Sequence, residues 1–264
     1  GRIDRLRPSL AEAGCDALLV TSLVNIRYLT GFTGSAGLLL VRDDDLLFVS
    51  DGRYAQQAAD QLADHGVSAR LEISGTGQRE LLRAAAEGVA RLGLEAGAVT
   101  WAQQRRYDDE WFPSAELVAT EGLVEALRIV KDDGEVARIE AAARIADTAL
   151  AEVRHLLLEG PTESEFGLAL DTAIRRLGAE GTSFETIVAS GPNGAKPHHR
   201  PGDRRVADGD LVVIDFGALV DGYCSDMTRT LMVGAPTATQ QRMLDVVATS
   251  QQAGVDAVAA GVAT

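Results

Sequence analysis

The sequence predicts an α/β protein of two domains, and three observations predict it. Short apolar runs alternate with stretches of helical period over roughly the first 120 residues, the pattern of an α/β layer fold. Near residues 120–132 the pattern changes, and a long helical period takes over. Further on, two strand-like runs carrying one aspartate each flank Asp221-Gly222, a strong signal for a two-residue hairpin turn. The first domain is placed at residues 1–125 and the second at 126–264.

In the first domain, residues 2–13 read as a helix with Ile3, Leu6, Leu10 and Ala13 on one face. Ala17–Val20 reads as a strand, and residues 36–41 and 46–50 as a hairpin around Asp43-Asp44-Asp45. Helices are expected over 53–64 and 78–92, and a short strand over 97–100. Glycines recur at every third residue in Gly31-Phe32-Thr33-Gly34-Ser35-Ala36-Gly37, which is not dinucleotide-binding spacing, so this stretch reads as a turn. In the second domain, residues 133–158 predict a long helix with Val136, Ile139, Ala143, Ala146 and Leu150 on one face. Asp132 or Asp133 caps its start, and Gly160-Pro161 stops it. Thr162 and Glu165 form the capping box of the next helix. A strand over 184–190, the aspartate hairpin and a helix near 237–260 complete the pattern.

Composition narrows the function. The chain has 264 residues, 46% of them apolar and 24% charged, as in ordinary globular proteins. A net charge of −14 with no long basic cluster argues against nucleic acid as a partner. No apolar run approaches the ~20 residues of a membrane span, so a membrane partner is not expected. The first residues lack the apolar core of a signal peptide. Cys15 and Cys224 are far apart and read as reduced thiols of a cytoplasmic protein.

The hairpin carries the chemistry. If Asp221-Gly222 is the whole loop, Val220 pairs with Tyr223, Asp215 lies opposite Thr228, and Asp226 lies opposite Gly217. Residues 215 and 217 share a face, so Asp215 and Asp226 are diagonal neighbours about 7–8 Å apart at the backbone. Val213 lies beside Asp215, with Val212 and Ile214 behind it. Two carboxylates converging in such apolar surroundings need a cation between them, unless one stays protonated. Upstream, Ser190–Pro201 is a Gly/Pro-rich loop that holds two of the four histidines, His198 and His199. Loops delivered by a strand commonly carry site residues. His65 and His155 sit on helical surfaces and read as structural. Asp215-Phe216-Gly217 also spells the magnesium motif of kinases, yet no His-Arg-Asp loop precedes it and no glycine-rich phosphate loop opens the chain. An acid pair of the glycosidase kind leaves the Thr228-Arg229-Thr230 run and the His198 loop without a role.

These residues together carry a family resemblance that runs the length of the chain. It rests on Asn25–Ser35 and Asp51-Gly52-Arg53-Tyr54 in the first domain. In the second it rests on Ser183–Gly191, Pro197-His198, Ile214–Gly217 and Ser225–Thr230. The chain resembles the Xaa-Pro peptidases, aminopeptidase P and prolidase, of the pita-bread metallopeptidase fold that methionine aminopeptidase and creatinase share. The resemblance implies a creatinase/prolidase-like α/β domain followed by a pita-bread catalytic domain. It implies a metal site in which Asp215 chelates one ion and Asp226 bridges two. His198 becomes the catalytic histidine outside the metal shell, with Thr228 supporting the site and His199 only a loop neighbour. The spacing of seventeen residues from His198 to Asp215 and eleven on to Asp226 fits the family pattern. The implied reaction is metal-assisted hydrolysis of the bond before proline, in peptides or in Xaa-Pro dipeptides. Two divalent ions are implied, manganese first, with cobalt or zinc suited to the same ligands. The implied partners are short proline-containing peptides and a second copy of the chain, as a homodimer.

One departure stands out. The family completes its metal site with a histidine and two glutamates further along. After Asp226 the chain has only Asp245 and Asp256 as acidic residues and no histidine. The catalytic domain is therefore expected to be incomplete, with about 110 residues outside the sequence. The alternative from another class is a pita-bread protein that works without metal, either a binding or regulatory module or a creatinase-like hydrolase.

Overall fold

The computed structural model describes residues 1–262. The chain forms two compact units that divide between Val130 and Lys131.

The first unit runs α1 (Arg2–Glu12), β1 (Ala17–Val20), α2 (Leu23–Thr30), β2 (Leu38–Arg42), β3 (Leu46–Ser50), α3 (Ala55–Asp64), β4 (Arg70–Ile73), α4 (Gln78–Ala85), β5 (Arg91–Glu95), α5 (Trp101–Arg106), β6 (Glu116–Thr120) and α6 (Leu123–Ile129). Its six strands form one mixed sheet in the order β4-β3-β2-β1-β5-β6. Alternate residues point to opposite faces. Leu18, Val20, Leu39, Val41 and Phe48 pack into one core, while Leu19, Leu40, Leu47 and Val49 pack into another. Both faces are covered, which explains why the central strands read as unbroken apolar runs.

Most of the expected elements form here, with two corrections. The helix expected over 78–92 stops at Ala85, and Arg91–Glu95 is a central strand paired with both β1 and β6. The strand expected at 97–100 is instead the approach to α5, whose N-cap Thr100 accepts from the Gln103 amide. Gly88, with φ +79, breaks the helical run after Ala85. Residues 31–37 belong to no helix or strand, as their glycine spacing predicts.

The second unit runs α7 (Asp133–Val153), α8 (Glu163–Arg176), β7 (Gly181–Thr182), β8 (Ile187–Ser190), β9 (Leu211–Phe216), β10 (Ala218–Val220), β11 (Tyr223–Cys224), β12 (Met227–Met232) and α9 (Ala238–Ala257). Two three-stranded sheets form, ordered β11-β10-β7 and β12-β9-β8. Ala142, Ala146 and Ala149 of α7 and Phe166, Leu170 and Ile174 of α8 pack against Val188, Val212, Ile214 and Phe216. Full burial of Phe166 and Phe216 contributes about 1.5–3 kcal/mol each. Asp132 caps α7, and Thr162 with Glu165 forms the box that starts α8.

The long helix differs from expectation in length and in face. It is α-helical only to Val153, and Arg154–Glu159 continue as a tighter 3₁₀ turn. Ala146 and Leu150 are buried as expected, but Val136 is 52% exposed and Glu135 is buried in its stead. Glu135 accepts from the Asp132 amide at 2.9 Å and from the Tyr223 hydroxyl at 2.9 Å. Those bonds turn the first helical turn so that its polar residue faces inward. Among the described residues, no helix is long and apolar enough to cross a membrane.

Candidate metal centre

The hairpin forms in the expected register. Asp221 has φ 47 and Gly222 φ 76, the pair of left-handed residues that a two-residue type I′ turn requires. Val220 pairs with Tyr223 and Leu219 with Cys224, and further down Phe216 pairs with Met227 and Asp215 with Thr228. Between these two ladders the Ser225 amide donates to the Ala218 carbonyl at 3.0 Å, and the Ala218 amide donates to Ser225 Oγ at 3.0 Å. Register is therefore kept through the junction, with Gly217 opposite Asp226. A Cβ on Gly217 would lie 2.0 Å from the Ser225 carbonyl oxygen and 2.1 Å from Ser183 Oγ, so only glycine fits. Ser183 Oγ donates to that same carbonyl at 2.7 Å, which ties the junction to the chain entering β8.

The residue count between the two ladders leaves Asp226 two positions before Thr228, the residue that pairs with Asp215. Alternation along β9 buries Val212, Ile214 and Phe216 against the helices and turns Asp215 to the other side. The Thr228 hydroxyl donates to Asp215 Oδ1 at 2.6 Å. On the other flank Asp215 pairs with Ile187 of β8. Residues 187, 215 and 228 therefore form a row across the three strands. The apolar backing is as expected, but the site face is more open than the sequence suggests: Asp215 is half-buried, and Asp226 and Thr228 are exposed.

His198 is exposed in the loop after β8 and lines a cleft of about 210 Å³ with Glu185, Thr186, Ile187, His199 and Arg200. Ile187 is the link, since it walls this cleft and pairs directly with Asp215. His199 lies deeper, as a loop neighbour with a structural partner. Its Nε2–H donates to Glu163 Oε2 at 2.7 Å.

Glu163 was not legible as a site residue. Its side chain is fully buried at the first position of α8. Its Oε1 accepts from the Ser190 amide at 2.8 Å, the Ser190 hydroxyl at 2.7 Å and Asn193 Nδ2 at 3.0 Å. Oε2 accepts from the Gly202 amide at 3.2 Å as well as from His199. Burial by itself raises the carboxyl's pKa, but the bonds from Asn193, Ser190 and His199 outweigh it and bring it down to about 2. The Ser190 hydroxyl accepts in turn from Arg204 Nη1 at 2.5 Å. Arg204 holds Asp210 through two bonds of 2.7 and 3.0 Å, and this pairing lowers the Asp210 pKa. Asp210 immediately precedes β9.

The donor chemistry of Asp215 and Asp226 is that of hard oxygen ligands, which suit divalent ions such as manganese. Two carboxylates are part of a ligand set. Among the described residues, no group of three or more His, Cys, Asp or Glu side chains stands close enough to hold an ion. His65 and His155 are exposed on the surface as expected. Cys15 and Cys224 are both unpaired thiols.

Comparison with known proteins agrees with this architecture. Residues 137–264 match Metallopeptidase family M24, and residues 2–130 match the Creatinase/Prolidase N-terminal domain. An uncharacterised peptidase of Bacillus subtilis is 37% identical over 96% of this chain and 71% of its own length. The Xaa-Pro dipeptidase of Pyrococcus furiosus is 29% identical over 98% of this chain and 72% of its own. Among solved structures, a Xaa-Pro dipeptidase from Bacillus anthracis superposes with a TM-score of 0.94 at 35% identity, covering 99% of this chain and 72% of that one. The X-Pro aminopeptidase of Thermotoga maritima gives a TM-score of 0.84 at 30% identity, covering 96% and 70%. With its hairpin, its two units and these relatives, the chain belongs to metallopeptidase family M24 and carries that family's creatinase/prolidase N-terminal domain.

Proposed function

We propose that the protein hydrolyses the peptide bond that precedes proline, as a metal-dependent Xaa-Pro aminopeptidase or dipeptidase. The observation that carries the reading is the hairpin register, in which Thr228 pairs with and donates to Asp215 while Asp226 lies two residues before Thr228. The relatives named above point to proline as the specificity.

Divalent metal, when bound, would polarise the scissile carbonyl and lower the pKa of the attacking water. The chain's own residues do the rest. Asp215 and Asp226 would contribute carboxylate oxygens to that metal. Thr228 keeps the Asp215 carboxylate oriented by donating to Oδ1. His198, in the cleft beside Ile187, donates a hydrogen bond to the substrate carbonyl and to the tetrahedral centre that replaces it. Manganese suits these carboxylates, and cobalt or zinc can occupy such a site.

The test uses the full-length protein supplied with manganese and two peptides, Xaa-Pro-Yaa and Xaa-Ala-Yaa, together with Xaa-Pro dipeptides. Release of Xaa from proline substrates alone, abolished by chelation and restored by metal, is the expected result. Equal cleavage of the alanine peptide, or activity indifferent to chelation, would contradict the reading.

A further inference from the structure

We infer that Glu163 is the positioning residue of the His198 loop, acting on His198 through the chain segment 190–202. The inference rests on the role proposed above for His198. Five hydrogen bonds converge on one fully buried carboxylate, from Ser190 N and Oγ, Asn193 Nδ2, His199 Nε2 and Gly202 N. These donors span both ends of the loop and the residue next to His198. Gly202 and Ser190 are backbone anchors, while His199 and Asn193 are side-chain anchors. His198 itself is exposed, so its position is set by the segment that carries it.

The network reaches beyond the loop. Ser190 accepts from Arg204, and Arg204 forks onto Asp210 at the entry to β9. Gly191, at φ +50, makes room for this, because a Cβ there would lie 2.5 Å from Asp210 Oδ1 and 2.6 Å from Arg204 Nη2. The loop with His198 and the strand with Asp215 are thus fixed to a common set of charged groups. A catalytic donor displaced by about 1 Å can lose a hundredfold in rate, so a loop held in this way has a functional reason to be rigid.

Such a carboxylate acts only as an acceptor, and five donors meet it. Glu163→Gln would turn two N–H groups towards some of those donors at almost unchanged volume. The test uses the full-length, metal-loaded protein as wild type, Glu163→Gln, His198→Ala and the double variant. It measures kcat, KM, metal content and amide exchange. Glu163→Gln is expected to lower kcat about tenfold or more with metal content retained, and to speed exchange at residues 190–202 but not in α7. In the His198→Ala background the same substitution should cost nothing further, because it acts through that histidine. A kcat within twofold of wild type, or an equal fold-loss in both backgrounds, would overturn the inference. If Glu163→Gln does not fold, His199→Phe and His199→Gln replace it. The phenylalanine variant should lose kcat severalfold and the glutamine, which keeps an N–H donor, should restore at least half, whereas equal losses would overturn the inference. A wild type that cleaves no proline peptide contradicts the proposed function and leaves the loop to be judged by exchange, where unchanged rates at 190–202 in Glu163→Gln count against it.

Discussion

At the scale of single residues, the site depends on short polar contacts that place carboxylates. The Thr228 hydroxyl sits 2.6 Å from Asp215 Oδ1. Thr228→Val keeps the β-branched shape and removes that donor, so the strand should survive while the carboxylate loses its orientation. A loss of about tenfold in kcat and a weaker metal titration are expected, and unchanged metal affinity would show that the hydroxyl plays no part. This contact was legible before the structure, because one two-residue turn fixes every cross-strand pair below it. Glu163 was not. Its donors come from residues 27 to 39 positions away, and its neighbour Glu165 carries the visible capping signal. Nothing in local periodicity marks a carboxylate whose partners are brought to it by a loop. His199 shows the same limit, since its partner could only be seen once α8 lay beneath the loop.

At the scale of elements, the hairpin is held in register by packing at Gly217 as much as by its turn. Gly217→Ala would place a methyl against the Ser225 carbonyl and Ser183 Oγ. Overpacking of this kind costs about 1–3 kcal/mol, and relief requires the Ser225 carbonyl next to Asp226 to shift. Thermal unfolding and metal titration of the variant should both show a loss, and an unaltered metal affinity would separate the junction from the site. The strands β1, β3 and β9 were readable because their apolar runs or alternation match their burial. β5 was not, since Arg91-Leu92-Gly93-Leu94-Glu95 follows an alanine-rich helical stretch and is flanked by charges. The face of α7 departs from its apolar period at Val136 because Glu135 is drawn inward by its cap and by Tyr223. Hydrogen bonding there overrides the apolar period.

At the scale of the whole molecule, the acid end of the stability curve should report the Glu163 network. The carboxyl titrates near 2 in the folded chain against an ordinary value of 4.5. A pKa depressed by folding gives stability that is whole above the ordinary value and is lost as pH falls from there towards 2. The size is on the order of 3 kcal/mol. Urea unfolding of wild type and Glu163→Gln should therefore converge between about pH 4.5 and 2, and parallel curves would deny the coupling. Each unit also has its own core, so residues 1–130 should fold alone with a cooperative thermal transition. Both units follow a fold class that the sequence already carried in its alternation and its hairpin, while the charged network that joins loop to strand emerged only in three dimensions. The most direct test of the central claim, that Asp215 and Asp226 form the metal-holding pair and His198 stands outside it, is the metal content of three full-length variants measured by mass spectrometry beside their kinetics. Asp215→Asn and Asp226→Asn should lose metal and activity together, while His198→Ala should keep its metal and lose about a hundredfold in kcat. Full metal content in Asp226→Asn, or loss of the metal from His198→Ala, would contradict it.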